Sequence, residues 1–170
     1  LGELVVKAGT PFLQNGRLLT LKNWLANIPE RLRRSQPGLL SLEGLVICML
    51  GNVEKGLPLL NQAVGAFRTS GDTAGLARAL VRRTTPHQFQ GNHPASLIDA
   101  EEALFLTNED DDSVVVNLEA SRSKGLSLYY LGQGSDAVGW LNKALAGFTQ
   151  INRTSFILIV LTELGMVYQS

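Results

Sequence analysis

Apolar residues recur three and four positions apart along most of this chain, which is the spacing of one face of an α-helix. The two clearest segments are Leu59, Leu60, Ala63, Val64, Phe67 and Trp140, Leu141, Ala144, Leu145, Phe148. No segment shows the apolar–polar alternation of a half-buried strand. The pattern therefore predicts an all-α protein without a sheet.

The capping residues and prolines between these segments predict about nine helices joined by short loops. Asp72 and Ser135 suit N-caps, and Pro94 suits a first helical turn. Pro86 lacks a backbone N–H, so we expect it to kink or stop the fifth helix and to make its unit the most irregular. The predicted helices are 2–14, 17–28, 38–50, 53–69, 73–89, 94–107, 113–131, 135–150 and 153–169.

Pairs of glycines seven residues apart repeat along the sequence. The first members of the pairs, with Thr84 replacing one glycine and Gly165 standing alone, lie at 9, 44, 84, 125 and 165, in steps of 35, 40, 41 and 40. A glycine just past a helix end adopts the left-handed capping conformation cheaply. A glycine inside a helix costs roughly 1 kcal/mol relative to alanine. Gly44 and Gly125 fall inside helices, so we expect them to permit close helix packing.

A constant period of helical hairpins predicts an α-solenoid. The expected fold is a set of antiparallel helical hairpins stacked into a right-handed superhelix. We expect one repeat domain over 1–170. Its units are 2–36, 37–71, 72–111, 112–152 and a half unit, 153–170. The chain begins at Leu1 and shows no signal-peptide pattern, so we expect a piece of a larger protein.

The small-residue pattern resembles the tetratricopeptide (TPR) repeat, a helix–turn–helix unit. The matching residues are Gly44, Gly51, Leu60 and Ala63 in one unit, and Gly125, Gly132, Ala137, Leu141 and Ala144 in another. The longer period resembles the TPR-like repeats of the maltose-operon activator (MalT-like) branch of LuxR-type bacterial regulators. The residues that carry this second resemblance are Gly16, Trp24, Leu25, Pro29, Pro37, Leu39 and Leu40.

The resemblance implies a concave groove lined by the first helix of each hairpin. Carried over position by position, the candidate binding residues are Arg78, Thr85, Gln88, Phe89, Glu119, Arg122, Tyr129 and Tyr130. Val81 and Leu126 share their register, and the preceding unit contributes Gly38, Ser41, Leu45, Cys48 and Met49. Arginines beside aromatic rings suit binding, because the rings supply rigid contact area and the guanidinium groups directed hydrogen bonds.

The function that the resemblance implies is ligand sensing or protein interaction in a bacterial transcriptional regulator. A protein partner or a small-molecule inducer would occupy the groove, and self-association is a further expectation. The ATPase and the DNA-binding helix-turn-helix of such regulators would lie outside this fragment, which contains no GxxxxGK[ST] motif. The alternative is a generic TPR scaffold or adaptor that binds a peptide segment in another signalling protein.

The composition argues against several other structural and functional classes. Hydrophobic residues make up 45% of the 170 residues, which argues against disorder. Fifteen basic and fifteen acidic residues cancel, which argues against direct nucleic-acid binding. The longest strongly apolar run, 156–161, is too short to span a bilayer, so a soluble, cytoplasmic location without membrane binding is expected. A single cysteine, Cys48, excludes an internal disulfide and is expected to be buried apolar filler.

No catalytic, metal or cofactor motif stands out, so we expect no enzyme activity. His87 and His93 are six residues apart, a poor spacing for a zinc pair. The serines show no GxSxG elbow. The acidic run 109–112 is expected to cap a helix from a solvated loop, with weak calcium binding as its alternative.

The other charged and aromatic clusters have structural interpretations. Arg31, Arg33 and Arg34 are expected in a solvated loop, and Glu101 and Glu102 on a solvated helix face. A partner or ligand role is the less favoured alternative for Arg82 and Arg83. We expect both tryptophans, Trp24 and Trp140, to pack between helices rather than to form a sugar-stacking platform.

Overall fold

A computed structural model describes residue 13 and residues 17–107 and 113–169. These ranges contain nine helices and no strand. The helices are α1 Leu18–Ala26, α2 Glu30–Ser35, α3 Pro37–Met49, α4 Val53–Ser70, α5 Thr73–Phe89, α6 His93–Leu106, α7 Val114–Tyr130, α8 Gly134–Gln150 and α9 Thr154–Tyr168. The predicted helix 2–14, apart from its residue 13, and the acidic run 109–112 lie outside the described residues.

Left-handed residues end the helices at the tight turns between them. Gly51, Gly71, Gly91 and Gly132 have φ of 89°, 73°, 69° and 80°. Asn152, with φ of 55°, does the same before α9, and asparagine tolerates this conformation better than most residues. The capping role that the glycine frame predicts for its second member is confirmed at 51, 91 and 132.

The mid-helix glycines let paired helices approach closely. A Cβ on Gly44 would lie 2.8 Å from the carbonyl oxygen of Gly56 on α4. A Cβ on Gly125 would lie 2.8 Å from Leu141 Cγ and 3.1 Å from the carbonyl oxygen of Ala137, both on α8. The predicted packing role of these glycines is confirmed, because each contact leaves no room for a side chain.

The hairpins stack in chain order. Within the hairpins α3–α4, α5–α6 and α7–α8, the two helices pack heavily on each other, and each second helix also packs on the next first helix. The first helices form a row in which α3 contacts α5, α5 contacts α7, and α7 contacts α9 lightly. Three clusters of buried apolar residues lie between the stacked helices. Leu39 belongs to the first cluster, Leu80 to the second and Phe148 to the third. The all-α stacked-hairpin prediction is confirmed.

The predicted solvated loop around residues 31–34 is wrong. Pro29 follows the end of α1, and the residues after it form the short helix α2. Arg33 lies half-buried in an ion pair with Glu43 of α3, which anchors α2 to the first full hairpin.

Pro86 does not stop α5, which continues to Phe89. The proline is buried in the last turns of the helix, where its missing N–H removes only one backbone bond. The N–H of Gln90 donates to the carbonyl oxygen of Pro86 at 3.1 Å and closes the turn.

Several surface predictions also need correction. Trp24 is 42% exposed and so is not a buried inter-helix residue. Trp140 is partly buried, with the Lys124 ammonium 4.5 Å above its ring. Glu101 accepts from Lys124 at 2.8 Å and Glu102 pairs with Arg68 of α4, so both glutamates link helices. Nowhere in the described ranges is a helix both long and apolar enough to cross a bilayer.

We predict that Gly125→Leu destabilises the protein by about 1–3 kcal/mol, because the new side chain over-packs the contact with α8. Gly139→Leu is the matched control, since Gly139 is also inside a helix but has no atom within 4 Å of its Cβ position. The control should keep or gain stability, by up to about 1 kcal/mol, because leucine is the better helix former. Urea unfolding checks both variants, and equal stability of Gly125→Leu and the parent would contradict the helix contact.

Candidate functional site

A cavity of about 880 Å³ lies along the row of first helices. This volume is within the range of small-molecule sites. Helices α3, α5, α7 and α9 contribute most of its wall. The wall residues on these helices are Leu45, Met49, Arg78, Val81, Arg82, Thr84, Thr85, Gln88, Phe89, Val115, Val116, Glu119, Arg122, Ser123, Leu126, Tyr130, Ser155, Phe156, Ile159 and Glu163. Leu13, Gly91, His93 and Arg153 complete it.

Seven of the eight candidate binding residues lie on this wall, namely Arg78, Thr85, Gln88, Phe89, Glu119, Arg122 and Tyr130. Tyr129 does not, and packs instead against the apolar cluster of α7, α8 and α9. Leu126 and Tyr130 are four residues apart on α7 and share the helix face that lines the cavity.

Only some of the groove residues predicted for the preceding unit line the cavity. Leu45 and Met49 line the cavity, whereas Gly38, Ser41 and Cys48 are not among its wall residues. Cys48 faces α4, where a Cβ on Gly56 would lie 2.4 Å from its Sγ. Burial raises the pKa of the Cys48 thiol to about 11, so the side chain is a neutral filler at physiological pH.

The two ends of the cavity differ in chemistry. Helices α5 and α7 run in the same direction, because each is followed by its own antiparallel partner. Arg78 and Glu119 therefore stand at the N-terminal end of the shared wall, and Phe89 and Tyr130 at the C-terminal end. The ring of His93 stacks on Tyr130 at 4.2 Å between centroids. One end is charged and the other is aromatic.

Polar side chains one repeat apart connect the first helices. Arg82 Nη1 donates to Ser41 Oγ at 3.2 Å, across 41 residues. The hydroxyls of Thr84 and Ser123 are hydrogen-bonded at 3.0 Å, across 39 residues. Arg122 Nη1 donates to Glu163 Oε1 at 2.8 Å, again across 41 residues. We call these three contacts the polar rungs. They fix the register of the row and lie along the cavity.

Arg82 is a buried cation without a paired carboxylate. Its side chain belongs to a residue only 8% exposed, and Ser41 is its one hydrogen-bond partner within the described ranges. Burial, reinforced by the nearby charge of Arg78, lowers the pKa of Arg82 to about 10, so the guanidinium stays charged at neutral pH. Arg78 itself is exposed and, among the described residues, makes no ion pair or hydrogen bond.

Two carboxyl groups face these arginines. Burial raises the pKa of Glu119 although Arg122, Arg82, Arg153 and Arg78 all act to lower it. Glu119 has no hydrogen-bond partner in the part of the chain that the structure describes. The cavity therefore holds an uncompensated carboxyl group close to four cations.

Glu163 on α9 is the second carboxyl group, and it is only 6% exposed. Burial raises its pKa, with Arg122 opposing. Its Oε2 is buried and accepts no hydrogen bond from any described residue. Among the described wall residues, Arg78, Arg82, Arg122 and Arg153 against two glutamates leave a formal charge of +2.

The sequence analysis missed Glu163, Arg153 and Ser123. Glu163 lies 41 residues after Arg122, the same step as from Ser41 to Arg82, whereas the groove register counted from Gly165 falls on Thr162 and does not indicate Glu163. Arg153 lies at the turn before α9, where no helical register applies.

Arg83 is not a cavity residue. Its guanidinium donates to both oxygens of Asp99 on α6, at 2.7 and 2.8 Å, and to Asn61 of α4 at 3.0 Å. His87 Nε2 lies 3.7 Å from the same carboxylate, and burial lowers the pKa of His87. This cluster joins the two hairpins on the side away from the cavity. Within the described ranges, no group of three His, Cys, Asp or Glu side chains is placed to hold a metal ion.

Comparison of the chain with protein-family models, with curated proteins and with solved structures finds no match. The fold and the cavity geometry therefore carry the functional argument.

We predict that Glu119→Gln raises the melting temperature at pH 7.5 and that the gain shrinks as the pH falls toward 4.5. A raised folded-state pKa means that the folded protein holds this proton more tightly than the unfolded chain, so ionisation above the ordinary carboxyl range costs stability. Glutamine removes that cost. Melting curves of parent and variant across this pH range measure the gap.

Glu54→Gln is the control, because it removes the same charge from an exposed position of α4 that makes no ion pair with any described residue. If Glu119→Gln melted below the parent at pH 7.5, Glu119 would be a stabilising counterion of the arginines, and the account of an uncompensated carboxyl group would be wrong.

Proposed function

We propose that this chain is a ligand-sensing repeat domain that binds its ligand in the cavity along the first helices. The observation that supports this most directly is the state of Arg82. A buried guanidinium with one neutral hydrogen bond costs stability unless another group compensates its charge. Arg82 lies on the wall of a cavity large enough for such a group.

The arrangement of the wall supports a sensing role. Three consecutive hairpins and the helix α9 all contribute to one cavity, and polar rungs connect them. A molecule bound there would contact α5, α7 and α9 together. Binding would therefore favour one stacking geometry over others, which is how a ligand shifts a conformational equilibrium.

The protein that we propose for this domain is a MalT-like, LuxR-type bacterial transcriptional regulator acting in the cytoplasm. The glycine frame and the residues from Gly16 to Leu40 support that context by resemblance. In this proposal the chain has no catalytic role of its own and no direct contact with nucleic acid. An upstream ATP-binding module and a downstream helix-turn-helix in the full-length gene would support it, and the absence of both would favour the scaffold alternative.

The binding proposal is tested by thermal shift against a panel of carboxylic acids, sugar phosphates, nucleotides, neutral sugars and short acidic peptides. Thr85→Trp fills the middle of the cavity, because Thr85 lies on its wall. Thr69→Trp is the matched control on the exposed face of α4. We expect at least one small molecule to raise the melting temperature of the parent and of Thr69→Trp but not that of Thr85→Trp.

Equal shifts in both tryptophan variants would place binding outside the cavity and contradict the proposal. Shifts with peptides alone would favour the scaffold alternative.

A further inference from the structure

We propose that the ligand of this cavity is a small organic anion, with a phosphate or carboxylate head on Arg78 and Arg82 and a ring between Phe89 and Tyr130. This inference rests on the proposed function, since it names the chemical class of the ligand at the same site.

Two guanidinium groups have unused donors at the charged end. Arg82 makes one hydrogen bond, to a hydroxyl, and Arg78 makes none among the described residues. They are four residues apart on α5, so both side chains lie on one face of the helix. Guanidinium groups bind phosphate and carboxylate oxygens with paired, charge-assisted hydrogen bonds. This end therefore offers donors that suit an anion.

The carboxylates in the described part of the chain do not use these donors. Glu163 is hydrogen-bonded to Arg122, on the neighbouring helix. Glu119 lies within electrostatic reach of Arg78 and Arg82 but forms no hydrogen bond with either of them, nor with any other described residue. An excess of positive charge remains, and an incoming anion would balance it.

Aromatic side chains stand at the opposite end. Phe89 is 61% exposed and Tyr130 is 53% exposed although both line the cavity, and His93 stacks on Tyr130. Exposed rings around a cavity are a favourable surface for a flat apolar group. Seven residues separate Arg82 from Phe89, which is about 10 Å along the helix axis. A ligand of one head and one ring system matches this separation.

The wall between the two ends favours a small molecule over a peptide. Val81 and Leu126, both buried and apolar, and Thr85 occupy this part of the wall. A bound peptide carries a donor and an acceptor at every residue and needs partners for them. Gln88 is the one side-chain amide among the wall residues, and it already donates to Ser96 at 3.2 Å.

The test is isothermal titration calorimetry with five probes. The probes are 1-naphthyl phosphate, 1-naphthoate, inorganic phosphate, 1-naphthol and a pentaglutamate peptide. We expect the parent to bind at least one of the two naphthyl anions more tightly than either inorganic phosphate or 1-naphthol. The phosphate and carboxylate arms identify which head the site prefers.

Three arginine variants and two phenylalanine variants show which end of the cavity binds the head and which binds the ring. Arg78→Gln and Arg82→Met should weaken naphthyl-anion binding by about tenfold or more, because each removes charge-assisted hydrogen bonds. Arg68→Gln, on the exposed surface of α4, should leave it unchanged. Phe89→Ala should weaken naphthyl-anion binding by about threefold to tenfold and spare inorganic phosphate, whereas Phe105→Ala, 85% exposed on α6, should change neither.

Folding does not confound this test. Replacing a buried unpaired arginine with methionine should leave the melting temperature equal or higher. Arg78 is exposed, so Arg78→Gln retains the fold and carries the test alone if Arg82→Met does not.

The inference is overturned if neither naphthyl anion binds, or if Arg68→Gln weakens binding as much as Arg78→Gln. Binding of pentaglutamate alone would also overturn it in favour of a peptide. If neutral sugars from the thermal-shift panel bind in the cavity while both anions fail, the proposed function stands and this inference fails. If no member of either probe set binds, both are wrong.

Discussion

The parallel contact between consecutive first helices is the feature on which the rest of this molecule depends. Each hairpin turns the chain around, so α3, α5, α7 and α9 all run in the same direction at a step of about 40 residues. Positions one step apart therefore meet, as Ser41 meets Arg82 and Arg122 meets Glu163. The same geometry collects charged residues at one end of the row and rings at the other. The close helix contacts at Gly44 and Gly125 bring these first helices against their own hairpin partners.

The cavity concentrates the groups that are least favourable for stability. Buried apolar clusters lie between the helices at every step and stabilise the stack. The charged wall opposes them, because Arg82 and Glu163 are buried and Glu119 is partly buried without full compensation of their charges. Elsewhere in the described chain the buried charges are better matched, as in the bidentate pair of Arg83 and Asp99. Unmatched charge confined to one cavity is typical of a site that receives a ligand.

Most of the fold follows from local sequence signals. The glycine period predicts the hairpin turns at 51, 91 and 132, because each of these turns contains a residue with positive φ and glycine adopts it at low cost. Local signals failed where long-range contacts decide the structure. The Arg33–Glu43 pair joins α2 to α3, and no residue next to Arg33 indicates that partner. Pro86 does not stop α5, because its position within the last turns of the helix limits the loss to one hydrogen bond.

The candidate site was predictable to the extent that it follows helix periodicity. The register places Arg78, Thr85 and Phe89 on one face of α5, and the structure has all three on the cavity wall. Tyr129 does not line the cavity, because it packs against the apolar cluster of α7, α8 and α9, a contact that the register does not indicate. Arg82 lines the cavity and Arg83 does not. Arg83 is hydrogen-bonded instead to Asp99, which belongs to another helix. Such pairings depend on the three-dimensional arrangement and are absent from any local pattern.

The most direct measurement of the central claim is the side-chain NMR signal of each arginine Nε–Hε group during titration with 1-naphthyl phosphate. If the parallel first helices form an anion site, the signals of Arg78 and Arg82 shift together with one affinity, while those of Arg34 and Arg68 on the outer surface stay in place. Unmoved signals from Arg78 and Arg82 at saturating ligand, with shifts confined to the outer arginines, would contradict the account.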